Sequence, residues 1–492
     1  MDGQISIFDI MYPKFKIDKP IRMIELFSGY GSQALSMKYL DVPFEHWKTC
    51  EWAIKSIQAY KDIHMTNDNT DYSKDLTEEQ IKEYLYSKGI SQNYNEPMTE
   101  SQIKRLTEKQ VRTIYNNIQA THNLVNIQQV KGKDLEIKDT DKYIYICSYS
   151  FPCQDLSLAG KGKGMSDTTT RSGMLWEVER ILTECEEKPQ ILLMENVPQV
   201  HSQDNIADFN KWQLRLEEMG YKNYMQDLIA TDYGIPQTRN RCFMVSILGD
   251  YSYTFPKPIK LEKKLKDLLE DDVDEKYYLS DKQIKDIQSW NAYEKPLENM
   301  EKMDKSNIIQ TLTTRSGAYA AGMILVKNNT KQGYLEATDG DGIDISSRME
   351  HHRGTVQKGK TQTLTTSGGN DRGVVIGTYQ YAKSDTFMQG KDRLQLGKEV
   401  SDTLQTTQKE GIVNSDLRIR KLTPKECFRL MGVKDEDYEN CAKNQSNASL
   451  YHLAGDSICT CCLISIFGEL LGINWQDKLN EVLNEIINSS SN

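Results

Sequence analysis

Apolar positions in the first half of this chain cluster in short runs that polar, helix-patterned stretches separate. Residues 22–27 (R-M-I-E-L-F), 143–147 (Y-I-Y-I-C), 191–194 (I-L-L-M) and 242–247 (C-F-M-V-S-I) have the density of buried strands. Residues 124–130 (L-V-N-I-Q-Q-V) suggest a further strand, with Asn126 at its end. Residues 33–40, a stretch that Arg171-Ser172-Gly173-Met174-Leu175-Trp176 opens and that runs to Glu184, and residues 212–219 carry helical spacing between them. Strands alternating with helices predict an α/β domain built on a doubly wound sheet.

Residues 67–123 are charged and helical in pattern. Thr77, Thr99 and Thr107 each precede a glutamine by three residues, the sign of a capping box, and Ser280 with Gln283 repeats it. This stretch reads as a helical insertion with no chemistry of its own. Phe255-Pro256-Lys257-Pro258 marks a boundary, and residues 259–290 read as acidic helices with a connecting turn. From Ile308 threonine, glycine and valine take over. Gln310-Thr311-Leu312-Thr313-Thr314 recurs as Gln362-Thr363-Leu364-Thr365-Thr366 and, less strictly, in residues 402–407. Each copy leads to a short apolar run (323–326, 374–376, 412–413), which predicts three strand-loop-strand units of a mostly β domain. Pro424 suits the first position of a helix, and an apolar helix from about Ile458 should return to the first domain.

Composition narrows the class. A chain of 492 residues suits two or three domains. Net charge is −10, yet residues 302–420 hold 17 Lys plus Arg against 13 Asp plus Glu, which leaves +4 there and −14 elsewhere. A local basic face can bind phosphate on an acidic protein. Arg348-Met349-Glu350-His351-His352-Arg353 and Lys358 to Lys360 are its most basic stretches. Ten cysteines without framework spacing fit reduced thiols in a cytoplasm. Cys459, Cys461 and Cys462 sit in an apolar run, which we read as a buried helix rather than a metal site. No run of about 18 apolar residues is apparent, so no membrane span is expected, nor does the N-terminus resemble a secretory signal.

Candidate chemistry gathers where strands end. Cys153 follows the 143–147 strand on a loop that Pro152 begins; alone it is either a structural thiol or a nucleophile. Gly29 and Gly31 form a turn between strand and helix, suited to close approach of a nucleotide-type cofactor. Glu51 follows at the spacing of a ribose-binding acid, and Trp52 offers a stacking face. Glu195 ends the 191–194 strand. Alternation puts Gln237, Arg239 and Arg241 on one face.

Taken in order, F-S-G-Y-G, E-W, F-P-C-Q, E-N-V, Q-T-R-N-R and R-K-L-T-P-K-E-C-F-R-L-M-G resemble the DNA cytosine-5 methyltransferases of bacteria and phages, over about residues 21–255 and 418–475. The resemblance implies a Rossmann-like S-adenosylmethionine-binding domain (21–255), a target recognition domain (256–417), and a C-terminal segment (418–492) returning to the first. It implies Cys153 as nucleophile on carbon 6 of a flipped-out cytosine, Glu195 as proton donor at ring nitrogen 3, and Arg241 with Arg239 on the exocyclic oxygen. Phe27, Gly29 and Gly31 would lie by the methionine part of S-adenosylmethionine, Glu51 by the ribose, and Trp52, Asn126 and Leu175 by the adenine. Pro152 and Ser457 complete the expected cofactor set, with no metal.

The chain departs from the family at two places. Val125-Asn126 stands where the family usually has Gly-Asp, and Gly455-Asp456-Ser457-Ile458 has Asp456 in place of an asparagine. An added carboxylate there is expected either to weaken cofactor binding or to reposition the C-terminal helix. Double-stranded DNA is the expected partner of a monomeric enzyme, with any restriction endonuclease a separate chain. Gln4-Ile5-Ser6-Ile7-Phe8 resembles a sliding-clamp-binding peptide. The rival readings are a tRNA cytosine methyltransferase and a catalytically silent DNA-binding protein.

Overall fold

The computed structural model describes residues 13–152, 172–280, 323–330, 334–338, 340–345, 354–364, 366, 372–380 and 414–488. Cys153, the Gln4–Phe8 peptide, the first and third threonine-leucine repeats and Arg348–Arg353 lie outside them. The chain divides into two compact units. One comprises residues 1–263, 363–368 and 424–492, and the other residues 264–362 and 369–423.

The first unit is built on six strands: β1 (Ile21–Leu26), β2 (Phe44–Cys50), β3 (Ile144–Tyr149), β4 (Ile191–Asn196), β5 (Tyr221–Ile229) and β6 (Asn240–Leu248), in the order β2-β1-β3-β4-β6-β5. The first four run parallel, while β6 lies antiparallel between β4 and β5. β1, β3 and β4 are buried along their whole length, as strands covered on both faces must be. Strand order reverses between β1 and β3, which opens a crevice beyond their carboxyl ends. Helices α1 (Ser32–Tyr39), α2 (Ile54–His64), α6 (Leu175–Glu184) and α7 (Ile206–Glu218) flank the sheet.

Residues 124–130, expected as a strand, form none. The Asn123 side chain takes the backbone groups that a ladder would use: its amide donates to Glu51 O and its oxygen accepts from Glu51 N–H and Val125 N–H. Val125 then enters the left-handed region at φ 70°, where a β-branched residue is strained. That is the position at which the family usually has glycine. Asn126 turns the chain by accepting from Gln128 N–H.

The insertion holds α3 (Glu78–Lys88), α4 (Glu100–Lys104) and α5 (Glu108–Ala120), each starting with the expected capping box. Ile81, Leu85, Ile103, Val111 and Ile118 form a core continuous with Ile57 and Val125. The C-terminal segment adds α8 (Pro424–Arg429), α9 (Asp435–Ala442), α10 (Asn447–Asp456), α11 (Thr460–Leu471) and α12 (Trp475–Asn488). Asn447–Leu471 is long and apolar enough to cross a membrane, contrary to the expectation from composition, but 89% of its apolar 18-residue window is buried inside the fold. Cys459, Cys461 and Cys462 belong to that buried start of α11.

In the second unit β9 (Gly342–Asp344), β10 (Val356–Gln357), β11 (Arg372–Gln380) and β12 (Asn414–Lys421) make one antiparallel sheet, and β7 (Met323–Lys327) pairs with β8 (Tyr334–Thr338). The acidic helices expected from 259 are, over the described residues, two 3-10 turns at Leu265–Leu268 and Glu275–Tyr277. Lys358 pairs with Asp341 at 2.8 Å, so part of the basic stretch is neutralised within its own unit.

The middle threonine-leucine repeat returns to the first unit. Fully buried Gln237 accepts from Leu364 N–H at 3.1 Å and donates to Leu430 O at 2.7 Å. Gln237→Ala leaves both groups buried without partners and should cost roughly 2–4 kcal/mol. Urea unfolding measures it; Thr107→Ala, which removes an exposed cap, should cost about 1 kcal/mol.

Candidate active site

A cavity of about 750 Å³ opens at the crevice beyond β1 and β3. Its wall takes Phe27 to Tyr30 after β1, Glu51 and Trp52 after β2, Phe151 and Pro152 after β3, and Glu195 and Asn196 at the end of β4. Arg241 enters from the start of β6. Because β6 runs against β4, its first residues lie beside the last residues of β4, with Glu195 opposite Phe243. This brings Arg241 Nε to 3.1 Å from Glu195 Oε1. Burial pushes the Glu195 carboxyl upward, and the Arg241 and Arg239 charges oppose that shift. Asn196 donates to Phe151 O at 3.0 Å, fixing the chain two residues before Cys153.

Gln237 and Arg239 precede the strand rather than alternate along it. Arg241 turns to Glu195, while Arg239, buried, donates to Leu364 O, Gly455 O and Ser457 O at 3.2, 3.1 and 2.6 Å. Its Nε, also buried, has no hydrogen-bond partner. Desolvation, and then the neighbouring Arg241 charge, lowers its pKa to about 10.

Glu51 holds the glycine turn: its carboxylate accepts from Gly29 N–H at 3.1 Å and Ala53 N–H at 2.8 Å. Burial lifts its pKa to about 7. Asn126 and Ser457 also lie on the cavity wall, and Asp456 sits 3.2 Å from His452 Nδ1. Two expected cofactor residues do not form the wall. Leu175 is fully buried in the sheet core, and Met174, in the turn before α6, takes the wall position. Gly31 faces inward: a Cβ there would lie 2.4 Å from His64 Nε2 and 2.6 Å from Tyr60.

The wall also holds residues that motif reading missed. Ser28 Oγ, Tyr30 OH and Tyr94 OH are buried polar atoms on residues lining the cavity that make no hydrogen bond of good geometry, with only serine hydroxyls near the two phenols (Ser32 and Ser457; Ser56 and Ser449). Buried polar groups of this kind call for a polar ligand. With a carboxylate for a diol, an aromatic face and an amide, they fit an adenosine-bearing cofactor. Glu25 stands behind the wall, 1% exposed, accepting from Ala34 N–H at 3.2 Å and Tyr60 OH at 2.5 Å. Elsewhere His201, Asp227 and Cys242 bring ligand-type atoms within 4.8 Å, but His201 and Asp227 already pair at 2.9 Å.

Fold and site define a Rossmann-like methyltransferase. The sequence model for C-5 cytosine-specific DNA methylases matches residues 86–472. The type II methyltransferase M2.ScrFI of Lactococcus lactis subsp. cremoris is 28% identical over 92% of this chain and 99% of its own. The orphan methyltransferase M.SssI of Spiroplasma monobiae is 32% identical over 69% of this chain and 83% of its own. The type II methyltransferase M.NlaX of Neisseria lactamica is 40% identical over 30% of this chain and 45% of its own. The chain belongs to the C-5 cytosine-specific DNA methylase family and is a DNA cytosine-5 methyltransferase. The family's methyl donor is S-adenosylmethionine.

The Glu25 network predicts a pH dependence. Burial raises this carboxyl from 4.5 to about 7. Between those values the folded state holds a proton that the unfolded state has released. The contribution of Glu25 to stability is therefore full below about pH 4.5 and is lost as pH rises through 7. Glu25→Gln, neutral throughout, should remove about 2–3 kcal/mol of that decline between pH 5 and 8. Urea unfolding at a series of pH values checks this; parallel curves for both proteins would contradict it.

Proposed function

We propose that the enzyme methylates carbon 5 of a cytosine flipped out of a specific duplex DNA sequence, through a covalent adduct on Cys153. The observation that carries this is the Arg241–Glu195 pair, on the same cavity as Glu51 and beside Asn196, which bonds Phe151 O two residues before Cys153 in the chain. Carbon 5 of cytosine is a poor nucleophile. Addition of the Cys153 thiolate at carbon 6 moves the ring's electron pair toward carbon 5. Glu195 donates its proton to ring nitrogen 3, which relieves the charge that addition creates; its burial favours the protonated form this requires. Arg241 orients Glu195 and contacts the base. Arg239 acts as a positioning residue, since its donors are on backbone carbonyls.

S-adenosylmethionine supplies the electrophilic methyl group. Glu51, Trp52, Asn126, Ser457 and the turn at Phe27 and Gly29 would hold it. After transfer, carbon 5 loses its proton to a base, the electron pair re-forms the carbon 5–carbon 6 double bond as the Cys153 thiolate leaves, and the proton on ring nitrogen 3 returns to Glu195. Extruding the base costs a few kcal/mol, which contacts in the cavity must offset. The second unit would read the target sequence. The relatives differ on a restriction partner, one being called a type II enzyme and one an orphan.

Bisulfite sequencing of plasmid DNA from expressing cells tests this reading. The wild type should protect cytosines within one or a few sequence contexts, and Cys153→Ser should protect none. Glu195→Gln keeps the shape but cannot give up a proton, so kcat should fall about 10²–10⁴-fold. Methylation of tRNA without any protected plasmid cytosine would favour the RNA reading instead.

A further inference from the structure

The helical insertion, read from sequence as inert, reaches the cofactor cavity. The loop between α3 and α4 returns along β2's end: Ser91 N–H donates to Trp52 O at 2.8 Å and Ile54 N–H to Ser91 O at 3.0 Å. It is braced internally, with Ser91 Oγ donating to Glu96 O and the Asn93 side chain accepting from Asn95 N–H and Glu96 N–H. Residues 93–97 of this loop line the same cavity as Glu51 and Asp456.

Tyr94 is the residue this bracing presents. It adopts φ 64°, in the left-handed region that a tyrosine enters at a cost of about 1 kcal/mol or more. Its ring stacks on His452 of α10, centroids 3.9 Å apart and planes at 18°. Its hydroxyl is buried without a hydrogen-bond partner, although the Ser56 and Ser449 hydroxyls are beside it. The Glu51 and Asp456 carboxyls are its charged neighbours, and with burial they hold the phenol neutral. A strained backbone and an unmet donor thus coincide on one side chain beside the residue suited to a ribose. A ribose hydroxyl is the matching group, because it can give its hydrogen to Glu51 and accept one from a phenol.

We propose that Tyr94 is a cofactor-binding residue supplied by the insertion, donating its hydroxyl to a ribose oxygen of the S-adenosyl ligand, and that its stack on His452 holds the loop closed over that ligand. This rests on the reading of the cavity as the S-adenosylmethionine site. The insertion then contributes to cofactor retention, and the ring and the hydroxyl of Tyr94 have separable effects.

Calorimetric titration of the full-length protein with S-adenosylhomocysteine, and with its 2′-deoxy and 3′-deoxy counterparts, tests this without turnover. Tyr94→Phe keeps the ring and the stack. It should raise the Kd of S-adenosylhomocysteine about tenfold, equivalent to about 1.4 kcal/mol, and change that of one deoxy ligand less than twofold. His452→Ala keeps the hydroxyl but removes the stack, and should speed ligand dissociation severalfold in stopped flow. An unchanged Kd for Tyr94→Phe, or an equal loss across all three ligands, overturns the role of Tyr94 while leaving the cavity reading intact. Failure of the wild type to bind S-adenosylhomocysteine overturns both.

Discussion

A buried guanidinium must find acceptors, and Arg239 finds them on backbone carbonyls 125, 216 and 218 residues away. The chain leaves the first unit, passes through the second and comes back twice. Arg239 is where both returns are fastened, the threonine-leucine segment at Leu364 and the α10–α11 junction at Gly455 and Ser457. Removing such a donor would strand three carbonyls, and removing a carbonyl segment would strand a buried charge, which costs several kcal/mol. The cavity depends on this tie, because Arg239 holds the carbonyls of Gly455 and Ser457, and Asp456 and Ser457 form part of the cavity wall.

The same charge shapes the chemistry. Glu195 and Glu51 are carboxyls shielded from water, and burial pushes each toward its protonated form; Asp456, whose side chain is 54% exposed, is pushed the same way. The charges of Arg239 and Arg241 oppose that push at Glu195 and Asp456. A carboxyl poised between burial and a cation can hold a proton and still release it, which is what proton donation to a weakly basic ring nitrogen demands. The antiparallel setting of β6 is essential here. Were β6 parallel to β4, Arg241 would emerge at the opposite end of the sheet from Glu195.

How much of this was legible in the sequence follows the range of the interactions. The parallel strands β1, β3 and β4 were readable because burial on both faces leaves a continuous apolar run, and the capping boxes because they act over three residues. Residues 124–130 misled because their apolar content suits a strand, whereas Asn123 supplies the hydrogen bonds a neighbouring strand would have made. The family motifs pointed to Glu51, Glu195 and Arg241 by order alone, and all three line one cavity. They did not separate Arg239 from Arg241, since the partners of Arg239 are carbonyls, which leave no mark on the sequence. Nor did they find Tyr94 or Glu25, whose neighbours exist only once the sheet, insertion and C-terminal helices meet.

The insertion shows why an apparently inert segment can bear on function. Its core is not closed on itself; Ile57 and Val125 belong to it, and Trp52 packs against it. Val125 holds its left-handed conformation inside that core, 1% exposed, so the packing of α3 and α5 sustains a backbone turn that glycine would take without strain. Asn126, one residue on, faces the cavity from that turn. The insertion therefore stabilises the chain where the cavity wall departs from the family pattern. A change at a hydrophobic position such as Ile81 or Val111 would be felt at Asn126 and Trp52 through packing alone, with no polar group altered in the cavity.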